Sequence, residues 1–173
     1  MKILFTACCL ALLVFINMAN AQSVEQKLTG MGLALIPPTK SAGNYVKAVR
    51  TGNLLFLAGH ISTRPDGSTM TGKLGKDQTI EQGYDAAKAA TVSILSTLKA
   101  ELGDLNRIRR IVKVTGFVNS TPDFTDQPKV VNGCSDLLVA LFGDKGKHAR
   151  SAVGMAALPL NAAVEVEMIV EIE

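Results

Sequence analysis

The chain has no tryptophan, two tyrosines, two histidines and three cysteines, and only 19% of its 173 residues are charged. Each scarcity closes off a class of chemistry. His60 and His148 are isolated from one another, and Cys134 sits in an apolar segment with no neighbouring ligand type, so no metal site is expected. No G-x-S-x-G occurs, which removes the nucleophile-elbow hydrolases, and Gly72-Lys-Leu-Gly-Lys76 lacks both the Walker spacing and a following Ser or Thr. Aromatic residues make up 5%, and 18 Lys and Arg nearly balance 15 Asp and Glu. That composition offers neither a stacking surface nor a steering field for nucleic acid or anionic lipid. A mean hydropathy of +0.25 and the absence of low-complexity runs exclude a disordered chain.

What is present begins with an apolar start. Lys2, the run from Ile3 to Ile16 and the small-x-small end Ala19-Asn20-Ala21 have the three parts of a secretory signal peptide. A membrane-spanning helix needs about 20 apolar residues, more than this run supplies. Residues 1–21 are therefore expected to be a leader, residues 22–173 the domain, and the protein exported to a periplasm or the medium with no membrane attachment afterwards. Cys8 and Cys9 leave with the leader, so Cys134 has no partner for an intramolecular disulfide.

Ser23 with Gln26 fits a capping box for a short helix, and Ile36 to Gly43 reads as a loop. Tyr45–Arg50 and Asn53–Ile61 read as a hairpin of two strands turning at Gly52. From Ile80 to Leu102 apolar residues recur at intervals of three and four, with a Thr79/Gln82 capping box before them and Gly103 after, which predicts a long amphipathic helix. Ile111–Val118 alternates as a strand, a second helix runs from Pro128 to Gly143, and Ala149–Ala156 and Ala163–Ile172 read as terminal strands. The pattern predicts an α+β fold: a mixed β-sheet with two helices packed on one face. In the last strand Val164, Val166, Met168, Val170 and Ile172 point one way; Ile169 and Val153 lie on the opposite face, which asks for cover by another copy of the chain.

Two charged residues interrupt the apolar terminal strands: Arg150, and Glu165 on what reads as the adjacent strand. An arginine fork can grip a carboxylate in two parallel hydrogen bonds, and a glutamate can hold or activate water. Solvated strand ends would use the same residues.

The segments Gly43-Asn-Tyr45, Leu57-Ala-Gly59-His-Ile61, Gly116-Phe-Val118, Asp123-Phe124, His148-Ala-Arg150-Ser-Ala-Val, Ala157-Leu-Pro159 and Val164-Glu165-Val-Glu167 occur in order. Together they resemble the RidA (reactive intermediate deaminase, or YjgF-type) family over about Leu35 to Glu173. The resemblance implies a chorismate-mutase-like α+β domain forming a homotrimer with sites between subunits, and hydrolysis of 2-aminoacrylate-type enamines and imines to a 2-keto acid and ammonia without metal or organic cofactor. It further implies that Arg150 binds the substrate carboxylate, Glu165 positions and activates water, Tyr45 lines the pocket and relays a proton, Gly59 presents backbone groups and Asn132 supplies an amide. Ala152 departs from the cysteine frequent two residues after the arginine, and His60 from a polar residue, often glutamine. Two other readings stand beside the deaminase: a non-catalytic trimeric carboxylate-binding module, and an endoribonuclease or translation inhibitor. The latter would have to use the basic run Arg107 to Lys113, which reads as a solvated edge.

Overall fold

A computed structural model describes residues 22–38 and 40–173. The leader reading of residues 1–21, with Cys8 and Cys9, lies outside them. Among the described residues the α-helices and β-strands follow in the order α1 (Val24–Gly30), β1 (Ala48–Thr51), β2 (Leu54–Ile61), α2 (Ile80–Leu102), β3 (Ile108–Asn119), α3 (Gln127–Phe142), β4 (Ala149–Met155) and β5 (Val164–Ile172). The strands form one sheet in the order β1-β2-β5-β3-β4. Only β3 and β4 are parallel, joined through α3, and the other pairs are antiparallel. A parallel pair needs a crossover long enough to hold a helix, which places β4 at the sheet edge and leaves the slot between β2 and β3 for β5.

The two long helices lie on one face, as their periodicity predicts. Val164, Val166, Met168, Val170 and Ile172 of β5 are at most 1% exposed beneath them, with Ile94, Leu95 and Leu98 of α2 and Val131, Leu138 and Leu141 of α3 equally buried. Both N-terminal capping boxes form, and Gly103 ends α2 in the left-handed region at φ 76°. The layer is tight where small residues face backbone. A Cβ on Gly133 of α3 would strike the Tyr84 carbonyl of α2, and one on Gly116 of β3 would strike Val131. α1 docks onto the far ends of both helices, with Lys27 Nζ donating to Leu141 O at 2.8 Å and Glu25 paired with Lys99 at 2.6 Å.

The opposite face of the sheet carries Val49, Phe56 and Val153, each at least 40% exposed. In register with them lie Ile169 beside Phe56, and Phe117 between Glu165 and Val153. The expected second apolar face is therefore present.

Two strands depart from simple alternation. β2 carries an irregularity between Leu57 and His60, and β3 carries two, between Ile108 and Arg110 and between Ile111 and Lys113. Such inserted residues let Leu57 and His60, three apart, both turn toward the helices. The first strand is also shorter than the sequence predicts: it begins at Ala48, and Tyr45 precedes it. Prolines 37 and 38 and the tight Tyr45 N to Gly43 O hydrogen bond of 2.9 Å hold the incoming chain in a loop.

Candidate functional site

The residues singled out by sequence fall into two groups, on opposite faces of the sheet. Arg150 on β4 is in register with Val114 of β3, and Val114 with Met168 of β5. Both partners are buried under the helices, so the arginine leaves the sheet on the helix side. There it lies along α3, where Pro128, Asn132 and Ser135 are spaced four and three residues apart and share one helical face. Nη1 donates to Asn132 Oδ1 at 2.9 Å and to Ser135 Oγ at 3.0 Å, and Nη2 donates to Pro128 O at 3.3 Å. A guanidinium has five N–H groups. Three are engaged, and the remaining two, Nε–H and one on Nη2, are what a carboxylate requires.

His148 adjoins this group. Its Nδ1 is 2.7 Å from Gly146 O and its Nε2 is 3.1 Å from Ser135 Oγ. A carbonyl only accepts, so Nδ1 carries the proton and Nε2 receives the serine O–H. Burial lowers the His148 pKa below 6.5, and the Arg150 charge lowers it further against the favourable Gly146 contact. Cys134, one residue before Ser135, is fully buried, and burial pushes its thiol up to about 11. It is a core residue, and Ala152 is partly buried and packs against the same hydrophobic interior.

The second group surrounds a cavity of about 380 Å³ at the other edge of the sheet, where Tyr45, Lys47, Gly59, His60, Leu160 and Glu165 contribute to the wall. The cavity exists because β1 pairs with β2 only as far as Leu57, leaving residues 58–61 of β2 without a strand on the edge away from β5. The incoming chain passes there instead, held by Ala58 N to Lys47 O at 2.9 Å and Ile36 N to Ser96 Oγ at 3.0 Å. Glu165 projects from the open face of β5 and lies directly over Gly59, where any Cβ would collide with its Oε1. That close approach is why position 59 carries a glycine. Burial, with the like charge of Glu167 second, raises the Glu165 pKa above the ordinary 4.5. Tyr45 stands at the lip, 52% exposed.

His60 is satisfied within the fold. Nδ1 donates to Ala58 O and Nε2 accepts from Thr97 Oγ1 of α2, both at 2.8 Å, and burial followed by the Lys47 charge lowers its pKa. Its ring is spent on bracing the irregular stretch of β2. At the mouth, Leu160 and Asn161 hold positive φ of 54° and 55°, an uncommon conformation for residues with side chains. Asn161 Oδ1 accepts from Asn119 Nδ2 at 3.2 Å, which helps hold that turn.

Two corrections to the sequence reading follow. Glu165 is not on the strand adjacent to Arg150, because β3 lies between β4 and β5. Nor does one chain bring the five residues together: Arg150 and Asn132 meet under α3, while Tyr45, Gly59 and Glu165 meet at the far edge. Ser135, Lys47 and Leu160 were not foreseen. The spacing of Ser135 three residues after Asn132 was the available signal for the first; the other two left none in sequence.

A family model described as "YjgF/chorismate_mutase-like, putative endoribonuclease" matches residues 25–172. Protein TCP17 of Trypanosoma cruzi is 44% identical over 150 residues, covering 86% of this chain and 94% of its own length. A Dermatophagoides farinae protein named 2-iminobutanoate/2-iminopropanoate deaminase is 31% identical over 131 residues, 76% of this chain and 88% of its own. Among solved structures, the protein Atu1372 of Agrobacterium tumefaciens, of unknown function, superposes with a TM-score of 0.81 at 42% identity, covering 87% of this chain and 94% of that one.

Proposed function

The chain belongs to the YjgF/chorismate-mutase-like family, and from that membership we propose that it is a deaminase hydrolysing small 2-imino carboxylates to 2-keto acids and ammonia. The observation that carries this reading is the Arg150 guanidinium, fixed by three hydrogen bonds to α3 with two N–H groups left to grip a carboxylate. A relative bearing a deaminase name supports it.

The chemistry asks little beyond orientation, because a protonated imine is already electrophilic at C2. With the carboxylate held by Arg150, Glu165 takes a proton from water as the oxygen adds to C2, giving a carbinolamine. The raised carboxyl pKa suits both halves of the cycle: the ionised form is a stronger base than an ordinary carboxylate, and the proton it gains can be returned to the departing nitrogen. Tyr45 closes the lip of the pocket. Since one chain separates Arg150 from Glu165 on opposite faces, the complete site takes its arginine from one copy and its glutamate from another. The exposed apolar residues Phe56 and Val153 are the surface on which copies pack, in a homotrimer as the family resemblance implies.

A carboxylate-binding module is the second reading, favoured by the completeness of the Arg150 fork without Glu165. Purified protein supplied with 2-iminopropionate, generated by an amino-acid oxidase, separates the two. The deaminase accelerates release of pyruvate and ammonia and loses this in Arg150→Ala and Glu165→Gln; the module binds pyruvate through Arg150 with no acceleration. Of the basic run, Arg107 donates to Leu102 O, Arg109 lies 3.7 Å from Glu171 and Lys113 donates to Ser151 Oγ, and RNA is expected to remain intact. Export is proposed as well: the secreted protein should begin at Gln22, and a mature form retaining Met1 removes that proposal.

A further inference from the structure

Leu160 costs the fold free energy and lies outside its hydrophobic core. The residue is 75% exposed and holds φ at 54° with ψ at 22°, a left-handed conformation that residues with side chains avoid. Asn161 beside it is a residue type that tolerates such angles, and its side chain accepts from Asn119. The turn is firmly held. Asn161 N donates to Leu158 O at 3.1 Å, Ala162 N to Pro159 O at 3.0 Å and Gly72 N to Asn161 O at 3.0 Å, with Leu158 and Ala162 buried on either side. Surroundings that impose strain on an exposed leucine, in the wall of the cavity that contains Glu165, mark a surface made for contact with a ligand.

What meets that surface follows from the substrate's own bonds. C2 of a 2-imino acid carries a carboxylate, a nitrogen and one side chain. The carboxylate goes to Arg150 of another copy, since Arg150 lies at the opposite edge of the sheet from the cavity, and Glu165 serves the water and the nitrogen. The side chain is the part left for the cavity wall. Ile61 of β2 pairs directly with Glu165 of β5, so the two side chains stand on one face, about 5 Å apart at Cβ. Ile36, fixed by its N–H to Ser96 Oγ at 3.0 Å, and Leu160 extend this apolar lining around the carboxylate. The cavity of about 380 Å³ is of a size that takes ligands well beyond three carbons, so the methyl group of 2-iminopropionate leaves most of it unfilled.

We propose that Leu160 is a specificity-determining residue and that the preferred substrates are 2-imino acids with an apolar side chain of leucine size or larger, which Leu160 covers at the mouth against Ile61 and Ile36. The inference rests on the deaminase reading. Lys40 and Lys47 also contribute to the wall, which makes an acidic side chain the competing occupant.

The test is steady-state hydrolysis, by the full protein and the variants Leu160→Gly and Leu160→Ala, of the imines of alanine, leucine, phenylalanine and glutamate, each generated in place by an amino-acid oxidase. The expected kcat/KM for the leucine and phenylalanine imines is about tenfold or more above that for the alanine imine, through KM. Both variants lower those two values about tenfold and leave the alanine imine within about twofold. Glycine adopts the turn without strain, so Leu160→Gly melts no lower than wild type and keeps its oligomeric state. Equal kcat/KM for small and large side chains overturns the proposal, as does an equal loss on all the imines in the variants. Preference for the glutamate imine overturns it in favour of the lysines, and a changed oligomeric state makes Leu160 a packing residue between copies. If Leu160→Gly fails to fold, Leu160→Ala decides by the same comparison. Wild-type protein that hydrolyses none of the imines removes the deaminase reading itself, whereas hydrolysis without preference removes only the role of Leu160.

Discussion

Charge and hydrogen-bond geometry make single positions decisive here. Arg150→Lys keeps the charge but replaces a planar fork by an ammonium that cannot reach Asn132, Ser135, Pro128 and a carboxylate at once. A loss of about 100-fold in kcat/KM is expected in the imine assay, and near-wild-type turnover would remove Arg150 from the site. Gly59→Ala should abolish turnover while leaving the fold near wild type, because the added methyl meets the flexible end of Glu165 and displaces that carboxylate alone. Glu165 carries a stability signature as well. Its folded pKa lies above the ordinary 4.5, so the folded state holds the proton more tightly than the unfolded chain does. This group therefore favours folding least once pH has risen through the folded value. Glu165→Gln, with no charge to desolvate, should match the wild-type melting temperature near pH 4 and exceed it near pH 7, by an amount on the order of 2 °C. A gap that does not open with pH would mean the carboxylate is better solvated than its position implies. Arg150, Gly59 and Glu165 stand out in sequence because each lies inside a segment that carries the family resemblance, whereas Asn132 lies in none of those segments and enters only as what the resemblance implies. Ser135 was not legible, since an isolated serine on a helix is indistinguishable from a solvent-facing one until the arginine is seen beside it.

At the scale of elements, the helices were legible and the strand irregularities were not. Capping boxes at Ser23 and Thr79 and the left-handed Gly103 are local signals, fixed by residues within one turn of each other. The irregular stretches of β2 and β3 depend on which residues their neighbours bury, and neighbours in a sheet lie far apart in sequence. Thr79→Ala should cost about 1 kcal/mol in chemical denaturation through loss of one cap. Gly133→Ala tests the helix crossing more severely. Its methyl group meets the backbone carbonyl of Tyr84, not a side chain that can swing away, so the helices must separate. A destabilisation of about 1–3 kcal/mol is expected, without loss of helical circular dichroism. A neutral result would show that α2 and α3 slide past each other at little cost.

The whole molecule sets where the two halves of the site can meet. Strand order was beyond the reach of sequence because nothing local says that β5 enters between β2 and β3, and with that order unknown Arg150 and Glu165 looked like neighbours. Their separation gives a test of the shared site. Arg150→Ala and Glu165→Gln proteins, each inactive, should regain about a quarter of wild-type activity when unfolded and reassembled together in equal amounts. A quarter is the fraction of sites that receive an intact arginine from one copy and an intact glutamate from its neighbour under random mixing. No recovery in assemblies that contain both variants would place the site within one copy. The position of β5 has another consequence, in the order of assembly. It comes last of the five strands yet pairs on both edges, with β2 more than a hundred residues upstream and with β3. During synthesis the β1–β2 hairpin and the β3–α3–β4 unit therefore emerge as two loose pieces with no backbone hydrogen bonds between their strands. The final strand is the clasp, and until the ribosome has released it the chain remains an open thread, slow to close because its defining contacts span most of its length.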